Sequence, residues 1–195
     1  TSKFVNYDRF YPVIIGIFKN FIHTFNKKEI LNDKVNFGNI SLISQAFQRC
    51  YLKNKDTRSS FLNLVNNPNG DYTRYKFFYA NYLIENKKID EVKDIFQDVE
   101  FINSTLLLSQ SKSWAQNNEF KNFTEIFSCK NHNDIVSEFL FLISNLYSSE
   151  EDLDKSNFYS NLSYYLNPKF KFNLALIVEN YYLNNQYEKV KKIIK

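Results

Sequence analysis

The chain has 195 residues and a formal charge of +4, with 44% of its residues hydrophobic, enough to bury a sizeable core. Three glycines and three prolines are too few for sandwiches, barrels or glycine-cornered α/β folds, which need such residues at their turns. The 25 basic residues are mostly lysines spread along the chain, not gathered on one face, so no nucleic-acid partner is expected.

In chain order, apolar spacing predicts helices over 8–25, 40–52 and 56–65. Pro12 is tolerated in the first turn of the first, where Ile14, Ile15, Phe18, Phe21, Ile22 and Phe25 recur at three- and four-residue spacing. Residues 27–38 are polar and hold Asn32-Asp33 and Gly38, so they read as a connection. Asn66-Asn-Pro-Asn-Gly70 is the strongest turn signal in the chain. From residue 71 the helices come in pairs: 71–85 with 91–99, 103–115 with 119–127, 133–147 with 152–166, and 171–184 with 186–195. Short connections make the members of each pair antiparallel neighbours.

The apolar residue opening each second helix is Ile89, Phe120, Leu153 or Tyr187, and these lie 31, 33 and 34 residues apart. A steady period in that range is the signature of stacked helical hairpins, each burying its apolar face on the next. The 20 phenylalanines and 14 tyrosines fall on the same stripes as leucine and isoleucine, which makes them interface fillers and not base-stacking platforms. Ser144, Ser156 and Ser163 are expected where helix backbones cross closely, their hydroxyls bonded to carbonyls of the preceding turn.

At these intervals the residues resemble the tetratricopeptide repeat. The third pair carries Leu140, Ile143, Ser144, Tyr147, Ser156, Ser160, Ser163 and Pro168. The fourth carries Leu174, Ile177, Val178, Tyr181, Val190 and Ile194; the first, Tyr79, Ala80, Leu83, Val92, Phe96 and Val99; the second, Leu107, Ser111, Trp114, Phe123 and Phe127. Ser160 departs from the usual aromatic, and Phe123 and Val178 from the usual small residue. The resemblance covers 71–195, about four hairpins with the last cut short. Residues 1–70 form a divergent helical region of the same single domain.

The resemblance implies an all-α, right-handed α-solenoid of stacked antiparallel hairpins, a piece of a longer bacterial repeat protein. It also implies a non-catalytic scaffold whose first helices line a concave groove for a peptide or a partner's helix. On that pattern the groove residues are Arg74, Phe77, Asn81, Leu108, Lys112, Phe141, Asn145, Glu179 and Tyr182. The lysine-asparagine clamp of chaperone-binding relatives is not reproduced, because Phe77, Leu108, Phe141 and Ala175 occupy the position where it uses lysine. Two alternatives stand beside the scaffold: an RNA-binding helical repeat, and the helical part of a larger enzyme. A repeat that reads bases needs the same polar pair in every hairpin, whereas the corresponding positions hold Asn81, Lys112, Asn145 and Glu179.

Little else carries chemistry. Cys129-Lys-Asn-His132 has metal-ligand spacing but lacks two further ligands, so no metal is expected, and no cofactor. A Cys129–histidine nucleophile pair falls at a predicted turn. Gly16, Gly38 and Gly70 stand alone and make no phosphate loop. A Cys50–Cys129 disulfide is left open by the sequence, and nothing in it signals an oxidising compartment. The longest apolar run, 10–18, is half of the roughly 20 residues a bilayer needs, so no membrane insertion is expected. No signal peptide is visible, and the expected location is the cytoplasm. The chain opens at Thr1, has no methionine, and closes on Lys191-Lys-Ile-Ile-Lys195, an unfinished helix, so it reads as a fragment with any upstream targeting segment missing.

Overall fold

A computed structural model describes residues 8–31 and 37–194; the patternless 1–6 and the Asn32-Asp33 connection lie outside them. The described residues form eleven α-helices and no strand. These are α1 (Tyr11–Lys27), α2 (Asn39–Tyr51), α3 (Thr57–Val65), α4 (Tyr75–Glu85), α5 (Val92–Ile95), α6 (Leu106–Gln116), α7 (Lys121–Ile126), α8 (His132–Ser149), α9 (Leu153–Leu166), α10 (Leu174–Leu183) and α11 (Tyr187–Ile194). Side-chain oxygens cap three of them: Thr105 accepts from Leu108 N, Asn131 from Asn133 N, and Asp152 from Lys155 N.

One backbone turn recurs. Lys53, Lys87, Asn118, Glu151 and Asn185 all have left-handed backbone, with φ between 53° and 61°, and they lie 34, 31, 33 and 34 residues apart. After each, the next residue's N–H reaches back five positions to a carbonyl: Asn54 to Arg49, Lys88 to Leu83, Glu119 to Trp114, Asp152 to Tyr147 and Gln186 to Tyr181, at 2.8–3.0 Å. This is the Schellman end of a helix, and it starts the return of the chain in every hairpin. Seven residues before the first four turns stand Ala46, Ala80, Ser111 and Ser144, all fully buried. The register therefore extends into α2 and α3, a fifth hairpin inside the region read as divergent. Lys55 explains why it was hidden: it occupies the place marked by Ile89, Phe120, Leu153 and Tyr187 in the other four.

The core is aromatic. Phe47, Phe61, Phe77, Phe78, Phe123 and Phe127 are each at most 2% exposed. Phe78 meets Phe127 edge-on at 4.7 Å and Phe47 at 5.1 Å, while Phe77 stacks on Phe123 at 5.5 Å.

α8 and α9 pack against each other along their lengths, and serine makes a close approach possible. Ser144 Oγ donates to Ser156 O and Ser156 Oγ to Ser144 O, at 2.7 and 2.8 Å. Ser137 and Ser163 repeat the exchange, both at 2.8 Å. Asn180 and Asn173 then donate to Ser156 Oγ and Ser163 Oγ at 2.7 and 3.1 Å, tying in the next hairpin. The hydroxyls thus bond across the pair, not to the preceding turn of their own helix as expected; Ser160, outside that set, bonds to Ser156 O one turn back. Antiparallel crossing brings each hydroxyl beside a carbonyl of the facing helix, and burial requires a partner for both.

Contacts also join hairpins that are not neighbours. Phe18 and Phe21 of α1 pack edge-on against Phe139 of α8, and Phe10 against Tyr147. Tyr147 Oη donates to Asp8 Oδ2 at 2.7 Å, Lys155 pairs with the same oxygen at 3.1 Å, and Arg9 pairs with Glu150. Cys50, at the end of α2, is joined by a disulfide to Cys129 in the α7–α8 connection. The expectation that neighbouring interfaces alone hold the hairpins is corrected: α1 and α2 fold back onto α8.

Candidate partner-binding face

The nine groove positions divide. Arg74, at the start of α4, points inward. Its Nε and Nη2 make paired bonds to Glu138 Oε1 and Oε2 at 2.8 and 2.7 Å, and Nη2 also donates to Asn173 Oδ1 at 2.7 Å. Phe141, Phe170 and Phe78 surround the guanidinium, with ring centres at 4.1, 5.4 and 5.8 Å. The Glu138 side chain is only 3% exposed, so this cation neutralises a buried carboxylate and pins α4 to α8 and α10. Arg74 is a structural cation here.

Phe77, Asn81 and Leu108 are buried, which takes them off any surface a ligand touches in this structure. The sequence pattern places them on first helices; core packing decides their direction. Asn81 donates through Nδ2 to Phe123 O and Phe127 O at 2.9 and 2.8 Å, satisfying carbonyls at the end of α7 that have no helical partner. Lys112 is half-buried, with its ammonium over the Phe101 ring and bonded to Val99 O.

The remaining four lie on α8 and α10 with solvent access. Phe141 and Asn145 are half-buried, Glu179 is exposed, and Tyr182 is 60% exposed with its ring edge against Tyr187. Asn145 Nδ2 donates to Phe141 O within the helix, which fixes the rotamer of the amide. Ser148 Oγ donates to Asn180 Oδ1 at 3.0 Å and couples the two helices just beyond these residues.

No family model, curated protein or solved structure matches this chain. The tetratricopeptide resemblance therefore rests on the residues alone.

The disulfide decides two other readings. Cys129 sulfur is bonded to Cys50, so it serves neither as a metal ligand beside His132 nor as a nucleophile. Near it, burial pushes the Asp134 carboxyl up to about 6, against the Ser128 N–H bond and Lys169, which favour the charged form. At the opposite end of α8, burial raises Asp8, but bonds from Tyr147, Lys155 and the Phe10 N–H outweigh it and hold the carboxyl below its usual range. No helix among the described residues is long and apolar enough to cross a membrane.

Sequence reasoning missed Glu138 and the serine-asparagine network. The network did leave a signal: Ser137 and Ser144, Ser156 and Ser163, and Asn173 and Asn180 are each seven residues apart, two helical turns.

Proposed function

We propose that the chain is a non-catalytic helical-hairpin scaffold, of tetratricopeptide type, that binds an extended peptide or a partner's helix. The binding face is the outer side of α8 and α10, centred on Phe141, Asn145, Glu179 and Tyr182. The observation that supports this reading is the turn repeated in five hairpins at one register, the kind of periodicity by which stacked repeats build an extended binding surface. Exposed tyrosine and half-buried phenylalanine supply apolar contact, and Asn145 offers both donor and acceptor to a peptide backbone. An oxidising setting is part of the proposal, on the strength of the disulfide.

The test is display selection of extended and helical peptide libraries on the oxidised protein. Selected peptides are expected to lose at least roughly fivefold in affinity on Asn145→Ala with Tyr182→Ala, about 1 kcal/mol, with the melting temperature unchanged. Peptides that bind the double variant normally and are lost on Phe158→Ala, on the exposed side of α9, defeat the assignment.

A further inference from the structure

We infer that Cys50 is a site of thiol exchange, open to small thiols that carry a negative charge. A cleft of about 240 Å3 lies beside Cys50, lined also by Lys53, Tyr82, Glu85 and Lys130; Cys129 does not line it. Both cysteines are buried, Cys129 at 1% exposed and Cys50 at 6%, and only Cys50 borders the cleft, which makes it the nearer target. Electrostatics at the mouth favour an anion. Glu85 is already engaged by Lys130 at 3.1 Å and by Ser128 Oγ. Lys53 is exposed on its turn and has no ion pair among the described residues.

The chemistry runs in one direction. The incoming thiolate attacks Cys50 Sγ, a new S–S bond forms there, and the Cys50–Cys129 bond breaks. Its electron pair leaves on Cys129 as a thiolate, which is protonated from solvent; one disulfide replaces another, and nothing is oxidised or reduced overall. Attack at Cys50 expels Cys129, which lies just ahead of the N-terminus of α8, an 18-residue helix whose positive end faces the departing charge. Exchange ends with the small thiol on Cys50 and frees the α7–α8 connection from α2.

The experiment treats the oxidised full chain in native buffer with mercaptopropionate or cysteamine, one anionic and one cationic. Acid-quenched samples are followed by mass spectrometry, and the adduct is located by peptide mapping. Loss of the bridge is expected to rise linearly with thiol concentration, with the adduct on Cys50. In Lys53→Glu the ratio of the mercaptopropionate rate to the cysteamine rate should fall roughly fivefold relative to the parent, a comparison in which the intrinsic reactivities of the two thiols cancel. The substitution suits the turn, because Glu151 holds the same left-handed position between α8 and α9. An adduct on Cys129, a rate that levels off at the rate of global unfolding, or an unchanged ratio in Lys53→Glu overturns the inference.

Discussion

Arg74 illustrates how far a single side chain can be read from its position. Sequence placed it on a first helix facing a groove, and it does stand at the start of α4. Its direction was set by Glu138, 64 residues away, and no local pattern announces that pairing. Removing one member of such a pair strands the other. Arg74→Ala is expected to cost about 3–5 kcal/mol in urea unfolding, and Arg74→Met combined with Glu138→Leu to recover most of it. A loss under about 1 kcal/mol for Arg74→Ala would show that the carboxylate finds water instead. Asp134 gives a prediction with a sign. Its carboxyl is raised to about 6 in the fold against an ordinary 3.8, so the native state holds the proton more tightly. The associated stability is complete below about pH 3.8 and is lost as pH rises through about 6. Asp134→Asn keeps an acceptor for the Ser128 N–H, which Asp134 binds at 2.9 Å, and removes the charge. The melting temperature of the variant relative to the parent should therefore be higher at pH 7 than at pH 4; a gap that is constant, or larger in acid, refutes the assignment.

Helices and turns were the most legible level. The periodic stripes located every helix, because burial imposes the pattern before packing details matter. Where lengths differ, the pattern reported burial and not helix type. The segment 91–99 contains only Val92–Ile95 as α-helix, after a 3-10 turn at Ile89–Glu91. Val92, Phe96 and Val99 are nevertheless all buried, because tighter bonds three residues apart, Phe96 to Lys93 and Val99 to Phe96, continue the winding. The α2–α3 hairpin is not legible in the sequence because Lys55 fills the place, just past the turn, where the other four hold an apolar residue. None of the five left-handed turn residues is glycine, so each carries a steric cost that glycine lacks. Lys87→Gly and Asn118→Gly should each raise stability, by about 0.5–1 kcal/mol for the lysine and less for asparagine, which tolerates this conformation better. Chemical denaturation of the two variants checks this, and destabilisation by either would mean that its turn does not hold in solution.

The arrangement of the whole molecule was the least legible. Contacts such as Tyr147 with Asp8, 139 residues apart, leave no periodic trace, and a repeat read from sequence predicts only neighbours. α1 and α2 instead cover part of α8, and α4 turns Phe77 and Asn81 into the core against α7, so the accessible groove residues shrink to a set on α8 and α10. Fold class followed from composition and period, whereas the closure depends on particular pairs, chiefly Phe139 with α1 and Cys50 with Cys129. The bridge has a mechanical consequence. Its ends are 79 residues apart in sequence but 5.7 Å apart in space. A tensile load applied at the two termini would bypass the enclosed segment, which holds α3 to α7, and be carried by the sulfur bridge. In a single-molecule stretching experiment the oxidised protein should lengthen by about 27 nm less than the reduced one, the contour of the segment that stays locked. Thiol exchange at Cys50 would then set how far the molecule extends before its chain is taut.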